Sequence, residues 1–164
     1  MKINGNGLQI GYGDSIIIDE IDIEIAKNEI TTIIGPNGSG KSTVLKAITR
    51  LLNYKKGIVN IDGRDLKSFG AKELSRRIGV LPQIHTAPAD FMVKELVGYG
   101  RMPYQHFLSG HSSEYERIIQ EAMEATGTYH LRNKSIHELS GGESQRVWIA
   151  TVLTQQPEIL FLDE

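Results

Sequence analysis

The chain has 164 residues, 40% of them apolar, with 18 basic against 20 acidic side chains and a net charge of −2. That length is enough for one compact domain burying roughly two-thirds of its unfolded surface, and the near balance of charge excludes a bulk field that would draw in nucleic acid. The lack of cysteine excludes disulfides, the amino terminus lacks the apolar stretch of a secretion signal, and no run of about 18 apolar residues occurs, so the expectation is one soluble domain with a small insertion.

Tyr12 stands between Gly11 and Gly13, the setting of a turn tyrosine whose ring projects. Ile16 to Ile18 form a short β-branched run, and Ile21, Ile23 and Ile25 alternate with Asp22 and Glu24 as in a half-exposed strand. Together they predict an antiparallel β-subdomain. Ile30, Ile33 and Ile34 then predict a short buried strand immediately ahead of Gly35-Pro36-Asn37-Gly38-Ser39-Gly40-Lys41-Ser42-Thr43. This stretch fits the phosphate-binding pattern G-x-x-x-x-G-K-[ST]. Its glycines let backbone N–H groups curl toward phosphates, Lys41 is placed to reach the β/γ-phosphates, and the Ser42 hydroxyl suits Mg²⁺. Val44, Leu45 and Ile48 follow at helical spacing.

Ile58, Val59 and Ile61 lead into Asp62-Gly63, a hairpin-type turn, and Ile78 to Leu81 is strand-like up to Pro82, with Gln83 next. From about Val93 to Leu131 the texture is helical. Tyr115, Ile118, Ile119, Ala122 and Met123 share one apolar face, and Gly98, Gly100, Pro103 and Gly110 mark breaks. In Leu139-Ser140-Gly141-Gly142-Glu143, a serine three residues before a glutamate is a capping box for a helix expected to begin near Glu143. The same helix start presents the Ser140 hydroxyl and N–H groups as an anion site, and the two readings are compatible. Val147, Trp148, Ile149, Ala150, Val152 and Leu153 predict a largely buried helix before Pro157. Four apolar residues, Ile159 to Leu162, then end in Asp163 and Glu164.

Phosphate loop, LSGG stretch and apolar strand ending in Asp-Glu, in that order, resemble the nucleotide-binding domain of ABC (ATP-binding cassette) ATPases over essentially the whole chain. The resemblance implies an α/β fold of the P-loop NTPase type. A mainly parallel sheet core would carry an N-terminal antiparallel β-subdomain and a helical insertion, with 1–83 as core part and β-subdomain, 84–140 as helical subdomain and 141–164 returning to the core. It implies ATP and Mg²⁺ as ligands. Tyr12 stands where the family stacks an aromatic on adenine, although alone it reads as a turn residue. Gln83 stands where the family's glutamine ligates Mg²⁺ or holds the attacking water, although alone it reads as a solvated loop amide. Asp163 would hold a water on Mg²⁺ and Glu164 would polarise the attacking water, where a terminal Asp-Glu pair otherwise reads as a solvated tail. Ser140, Gly141, Gly142 and Glu143 would face the γ-phosphate bound by a second ATPase subunit in a head-to-tail dimer. The family more often has glutamine at position 143, and Ser144 is also less usual.

ABC ATPases continue beyond this glutamate to a switch histidine, whereas His85, His106, His111, His130 and His137 all precede Asp163. The expectation is a C-terminally incomplete domain with impaired hydrolysis. Within the family, Val93-Lys94-Glu95-Leu96-Val97-Gly98-Tyr99-Gly100-Arg101-Met102-Pro103-Tyr104 and Gln145-Arg146-Val147-Trp148-Ile149-Ala150 resemble the ATPases that energise uptake of iron–siderophore complexes, haem and cobalamin. Iron–siderophore uptake is the first expectation, with haem, cobalamin or another cargo, or a non-transport ATPase of the translation type, as alternatives. The implied partners are a separate membrane permease and, indirectly, a substrate-binding protein, with no nucleic acid, at the cytoplasmic face of the membrane. The segment from His85 to Phe107, with Phe91, Met92, Tyr99, Met102 and Tyr104, is the expected docking face for the permease.

Overall fold

The computed structural model describes residues 1–84, 86–88, 91–104 and 113–163. The chain divides into two compact units, Met1–Ala71 and Lys72–Glu164.

In the first unit, β1 (Ile3–Tyr12), β2 (Ser15–Ile25), β3 (Tyr54–Ile61) and β4 (Arg64–Asp65) form one antiparallel sheet in the order β2-β1-β3-β4. The expected β-subdomain is therefore present, and its two isoleucine runs belong to one strand, β2. In β1 the buried side chains change phase: Ile3 is odd-numbered, Leu8 and Ile10 are even, and all three are fully buried. A period of two permits this only where the pairing register shifts. Of the three shifts of β1 against β2, the one between Gly5 and Leu8 falls where the phase changes. Helix α1 (Lys41–Ile48) packs on β1 and buries Val44, Leu45, Ala47 and Ile48, each large apolar side chain contributing about 1.5–3 kcal/mol. Asp62 and Gly63, both at positive φ, make the β3–β4 turn.

One expected element does not form. Residues 29–35 carry no strand, and Ile30 and Ile34 are 98% and 87% exposed. A strand exists through its ladder to a neighbour, and no strand among the described residues pairs with 29–35. Apolar, β-branched composition does not substitute for that partner.

In the second unit, α2 (Ala71–Arg77) leads into β5 (Ile78–Leu81), which pairs in parallel with β6 (Ile159–Leu162), Ile78 opposite Ile159 and Leu81 opposite Leu162. Between the two strands lie α3 (Val93–Tyr99), α4 (Ser113–Ala125) and α5 (Gly141–Leu153), the expected helical insertion and the helix after it. Their apolar faces meet in a core of Val93, Leu96, Val97, Ile119, Met123, Leu131, Val147 and Ala150. Truncating Met123, 1% exposed, to alanine would cost about 2–5 kcal/mol. Helix α5 is less buried than its composition suggests: Val147, Ala150 and Val152 are buried, while Trp148, Ile149 and Leu153 are only half-buried. Gly98 does not break α3 but lies within it, and Gly110 lies outside the described residues. Among the described residues, no helix is long and apolar enough to cross a membrane. An antiparallel sheet, a parallel strand pair and packed helices make the chain an α/β protein.

Candidate nucleotide-binding site

The glycine-rich loop reaches α1 through two backbone positions that side chains disfavour: Gly38 at φ 81° and Gly40 at φ 93°. Gly40 is the N-cap of α1 and has no side chain to cap it, and the first turn contains no acidic residue. The helix start therefore has no side-chain cap or acidic residue of its own, the setting in which the positive end of a helix favours an anion. Lys41 Nζ donates to the carbonyl oxygens of Gly35 and Pro36, both at 2.9 Å, which holds the ammonium over the loop. Ser39 N donates to Pro36 O at 3.2 Å and closes the turn. A Cβ on Gly35 would sit 2.8 Å from Ser39 Oγ, and one on Gly40 would sit 2.7 Å from Ile18 Cδ1. The loop therefore rests on β2, close to the hairpin end where Tyr12 pairs with Ser15. Tyr12 is 48% exposed, so a ring face is open to a planar ligand. Asn37 lies in the loop's turn, and Ser42 and Thr43 continue into the first turn of α1.

A second group forms in the other unit. Asp163 N donates to Leu81 O at 3.0 Å, which places Gln83 and Asp163 just beyond the carboxyl ends of adjacent parallel strands, the edge where open α/β sheets bind ligands. Both line a cleft of about 440 Å³ together with Gly141, Gln145 and Ile149 of α5. Gln145 and Ile149 were not anticipated from the sequence. Their signal was the spacing from Gly141, positions 145 and 149 following at successive helical turns.

Helix α5 begins at Gly141, two residues earlier than expected, with Ser140 as its N-cap. Glu143 N donates to Ser140 Oγ at 3.4 Å, and Glu143 Oε2 accepts from Ser140 N at 2.8 Å and from Ser140 Oγ at 2.6 Å. The capping box is complete, and the serine hydroxyl proton is directed at Glu143 and not outward. These bonds hold the Glu143 carboxyl below the usual range, with Lys134 and Arg146 adding to the effect and desolvation opposing it. Gly141 and Gly142 remain exposed.

Glu164 lies outside the described residues, as do His85 and Phe107 of the expected docking face. Of the rest of that face, Phe91 packs against the helical core and stacks on Tyr99 at 5.1 Å between centroids. Tyr104 is held by its hydroxyl, which donates to Gln155 O at 2.8 Å. Met92, Tyr99 and Met102 are exposed and line a groove of about 750 Å³.

In sequence order the chain carries a glycine-rich loop that leads into α1, an LSGG helix start and an Asp-bearing parallel strand, and residues 18–164 match the family model of the ABC transporter. The chain belongs to the ABC transporter family. It is 43% identical over 163 residues to the ferric enterobactin transport ATP-binding protein FepC of Escherichia coli (strain K12), covering 99% of this chain and 60% of that protein. It is 44% identical over 157 residues to the iron(3+)-hydroxamate import ATP-binding protein FhuC of Bacillus subtilis (strain 168), covering 96% and 58%. The chain thus spans about 60% of the length of these ABC relatives. Among solved structures, a nucleotide-free ATP-binding cassette from an ABC transporter superimposes with a TM-score of 0.85 at 26% identity, covering 100% of this chain and 69% of that one. A bacterial Atm1-family ABC exporter with ATP bound gives 0.84 at 27% identity, covering 99% and 29%. An exporter fits as well as the cassette, so the fold by itself does not distinguish transport directions.

Proposed function

We propose that this chain is the nucleotide-binding part of an ATP-hydrolysing subunit that energises uptake of an iron–siderophore complex through a separate membrane permease, from the cytoplasmic face. The observation that carries the ATP reading is the loop around Lys41: two left-handed glycines, an uncapped α1 start and an ammonium held over the loop carbonyls. The cargo reading is supported by relatives named for ferric enterobactin and iron(3+)-hydroxamate transport and by the Val93–Pro103 run.

In this reading, backbone N–H groups of Gly35 to Thr43 hold the phosphates and Lys41 exchanges its loop carbonyls for β/γ-phosphate oxygens. Tyr12 stacks on the adenine. Ser42 and Gln83 would offer oxygen ligands that suit Mg²⁺, a hard cation, and Asp163 would hold a water on it. Held by these residues, the ion would supply charge neutralisation at the phosphate oxygens. Gln83 orients the attacking water, and Glu164 takes its proton. Ser140 to Glu143 receive the γ-phosphate held by a second subunit; Gly141 and Gly142 N–H groups are the natural donors, because the Ser140 hydroxyl is engaged with Glu143. Residues 84–140 act as the helical subdomain that meets the permease through Met92, Tyr99 and Met102.

Calorimetric titration with Mg-ATP tests the assignment. Lys41→Ala should weaken binding at least tenfold, since the phosphates lose their main counter-charge; unchanged affinity in a folded variant would refute it.

A further inference from the structure

Glu143 lies in the first turn of α5, at the helix start read as receiving phosphate, yet its carboxylate is turned back onto that start. Ser140 Oγ donates to Glu143 Oε2 at 2.6 Å, and Ser140 N donates to the same oxygen at 2.8 Å. An ionised carboxylate is an acceptor only, and the bonds from Ser140 favour that ionised form. The direction of the shorter bond is therefore fixed: the one hydroxyl proton of Ser140 points at Glu143. A lone pair on the same Oγ accepts from Glu143 N at 3.4 Å. Ser140 is closed on its own helix both as donor and as acceptor.

Around this pair the helix start is open. Among the described residues, a Cβ added to Gly141 would meet nothing within 4 Å, and one on Gly142 would meet Arg146 Nη1 at 3.8 Å. The charged groups that act on Glu143 there are Lys134, on the loop ahead of Ser135, and Arg146, one turn further along α5. Both cations attract a carboxylate and a phosphate alike, so they do not choose between the two. The hydroxyl does choose, because it has a single proton to give. A carboxylate oxygen and a phosphate oxygen drawn to one hydroxyl would lie about 5 Å apart at most, well inside the Debye length, so they also repel each other.

We propose that Glu143 is a positioning residue that acts through Ser140: its carboxylate stands in for phosphate at the start of α5, and the γ-phosphate of a second subunit gains the Ser140 hydroxyl only by displacing it. This rests on the reading of Ser140 to Glu143 as the receiver of that phosphate. The exchange breaks one charge-assisted hydrogen bond, Ser140 Oγ–H to Glu143 Oε2, and makes another, Ser140 Oγ–H to a phosphate oxygen, with no proton transferred. One bond replaces another of the same class, so the hydroxyl adds little net to pairing, and the subunits approach against the charge of Glu143. Each subunit of a head-to-tail dimer brings one such helix start, so the restraint acts twice per pair.

Glu143→Gln removes the charge and introduces an amide that can donate to Ser140 Oγ, which frees the hydroxyl proton. Sedimentation equilibrium of the full-length subunit with Mg²⁺ and a non-hydrolysable ATP analogue reads the pairing. The substitution should tighten nucleotide-dependent self-association at least tenfold while lowering thermal stability at neutral pH. A residue that only caps its helix would weaken both together. In a Ser140→Ala background, with no hydroxyl to release, the gain from Glu143→Gln should be at least threefold smaller. Self-association of Glu143→Gln equal to or weaker than wild type, or an undiminished gain in the Ser140→Ala background, would overturn the proposal and leave the two-subunit reading standing. Absence of nucleotide-dependent self-association in wild type and Glu143→Gln alike would overturn the two-subunit reading, and the proposal with it.

Discussion

Tyr12 ends β1 with about half its surface open, and the backbone around it explains why. A Cβ at Gly11 would fall 1.9 Å from Ser15 O, so the hairpin closes tightly beneath the tyrosine and leaves the ring outside. If the ring stacks on a base, the ring and not the hydroxyl carries the binding energy. Tyr12→Phe should be nearly silent in nucleotide titrations, while Tyr12→Ala should cost on the order of 1 kcal/mol; equal losses would indicate a hydrogen bond in place of stacking. Lys41 illustrates a second point at this scale. Its ammonium satisfies the Gly35 and Pro36 carbonyls, so its charge is already placed where phosphate oxygens would be received, and little side-chain ordering remains to oppose binding.

At the scale of the element, α5 is fixed at both ends by polar groups and along its middle by Val147 and Ala150. Its N-terminal cap titrates. Hydrogen bonds from Ser140 lower the Glu143 carboxyl pKa, so the cap's contribution is fully present above the ordinary carboxylate value near 4.5 and is lost as pH falls through the depressed folded value. Thermal melts between pH 7 and about pH 3 should show the difference between wild type and Glu143→Gln shrinking toward acid. A constant difference would mean that Glu143 acts by shape and not by charge. Ser140→Ala removes the N-cap acceptor and should cost about 1 kcal/mol of stability. With a carboxylate at position 143 the cap is pH-sensitive.

At the scale of the whole molecule, the proposed hydrolysis would draw on groups from several elements. Asp163 is held by the β5–β6 ladder, Gln83 leaves the neighbouring strand, and the proposed base is Glu164, the next residue after Asp163. General-base assistance contributes roughly 10²–10⁴ in rate. In the assembled transporter, Glu164→Gln should retain ATP binding and lower phosphate release by about that factor, because an amide keeps the shape but is a far weaker base. Wild-type release from this variant would transfer the role to another residue.

The sequence by itself determined the local chemistry. The turn glycines ahead of α1, the Ser140–Glu143 box, the Asp62-Gly63 turn and the apolar face of α4 follow from residue type and spacing over a few positions, and each is found where that spacing puts it. The tertiary structure decided everything that depends on distant partners. Ile30, Ile33 and Ile34 have the composition of a strand but no ladder partner among the described residues. Trp148 and Leu153 are apolar yet half-buried, because burial is set by which helix lies opposite. Gln145 entered the cleft, and Arg101 became the buried cap of α5, 53 residues away in sequence, only because folding brought Leu81 beside Leu162 and the end of α3 against the end of α5. Short-range rules of backbone geometry and capping act within a turn or two, whereas pairing and burial are properties of the surfaces that the fold brings into contact.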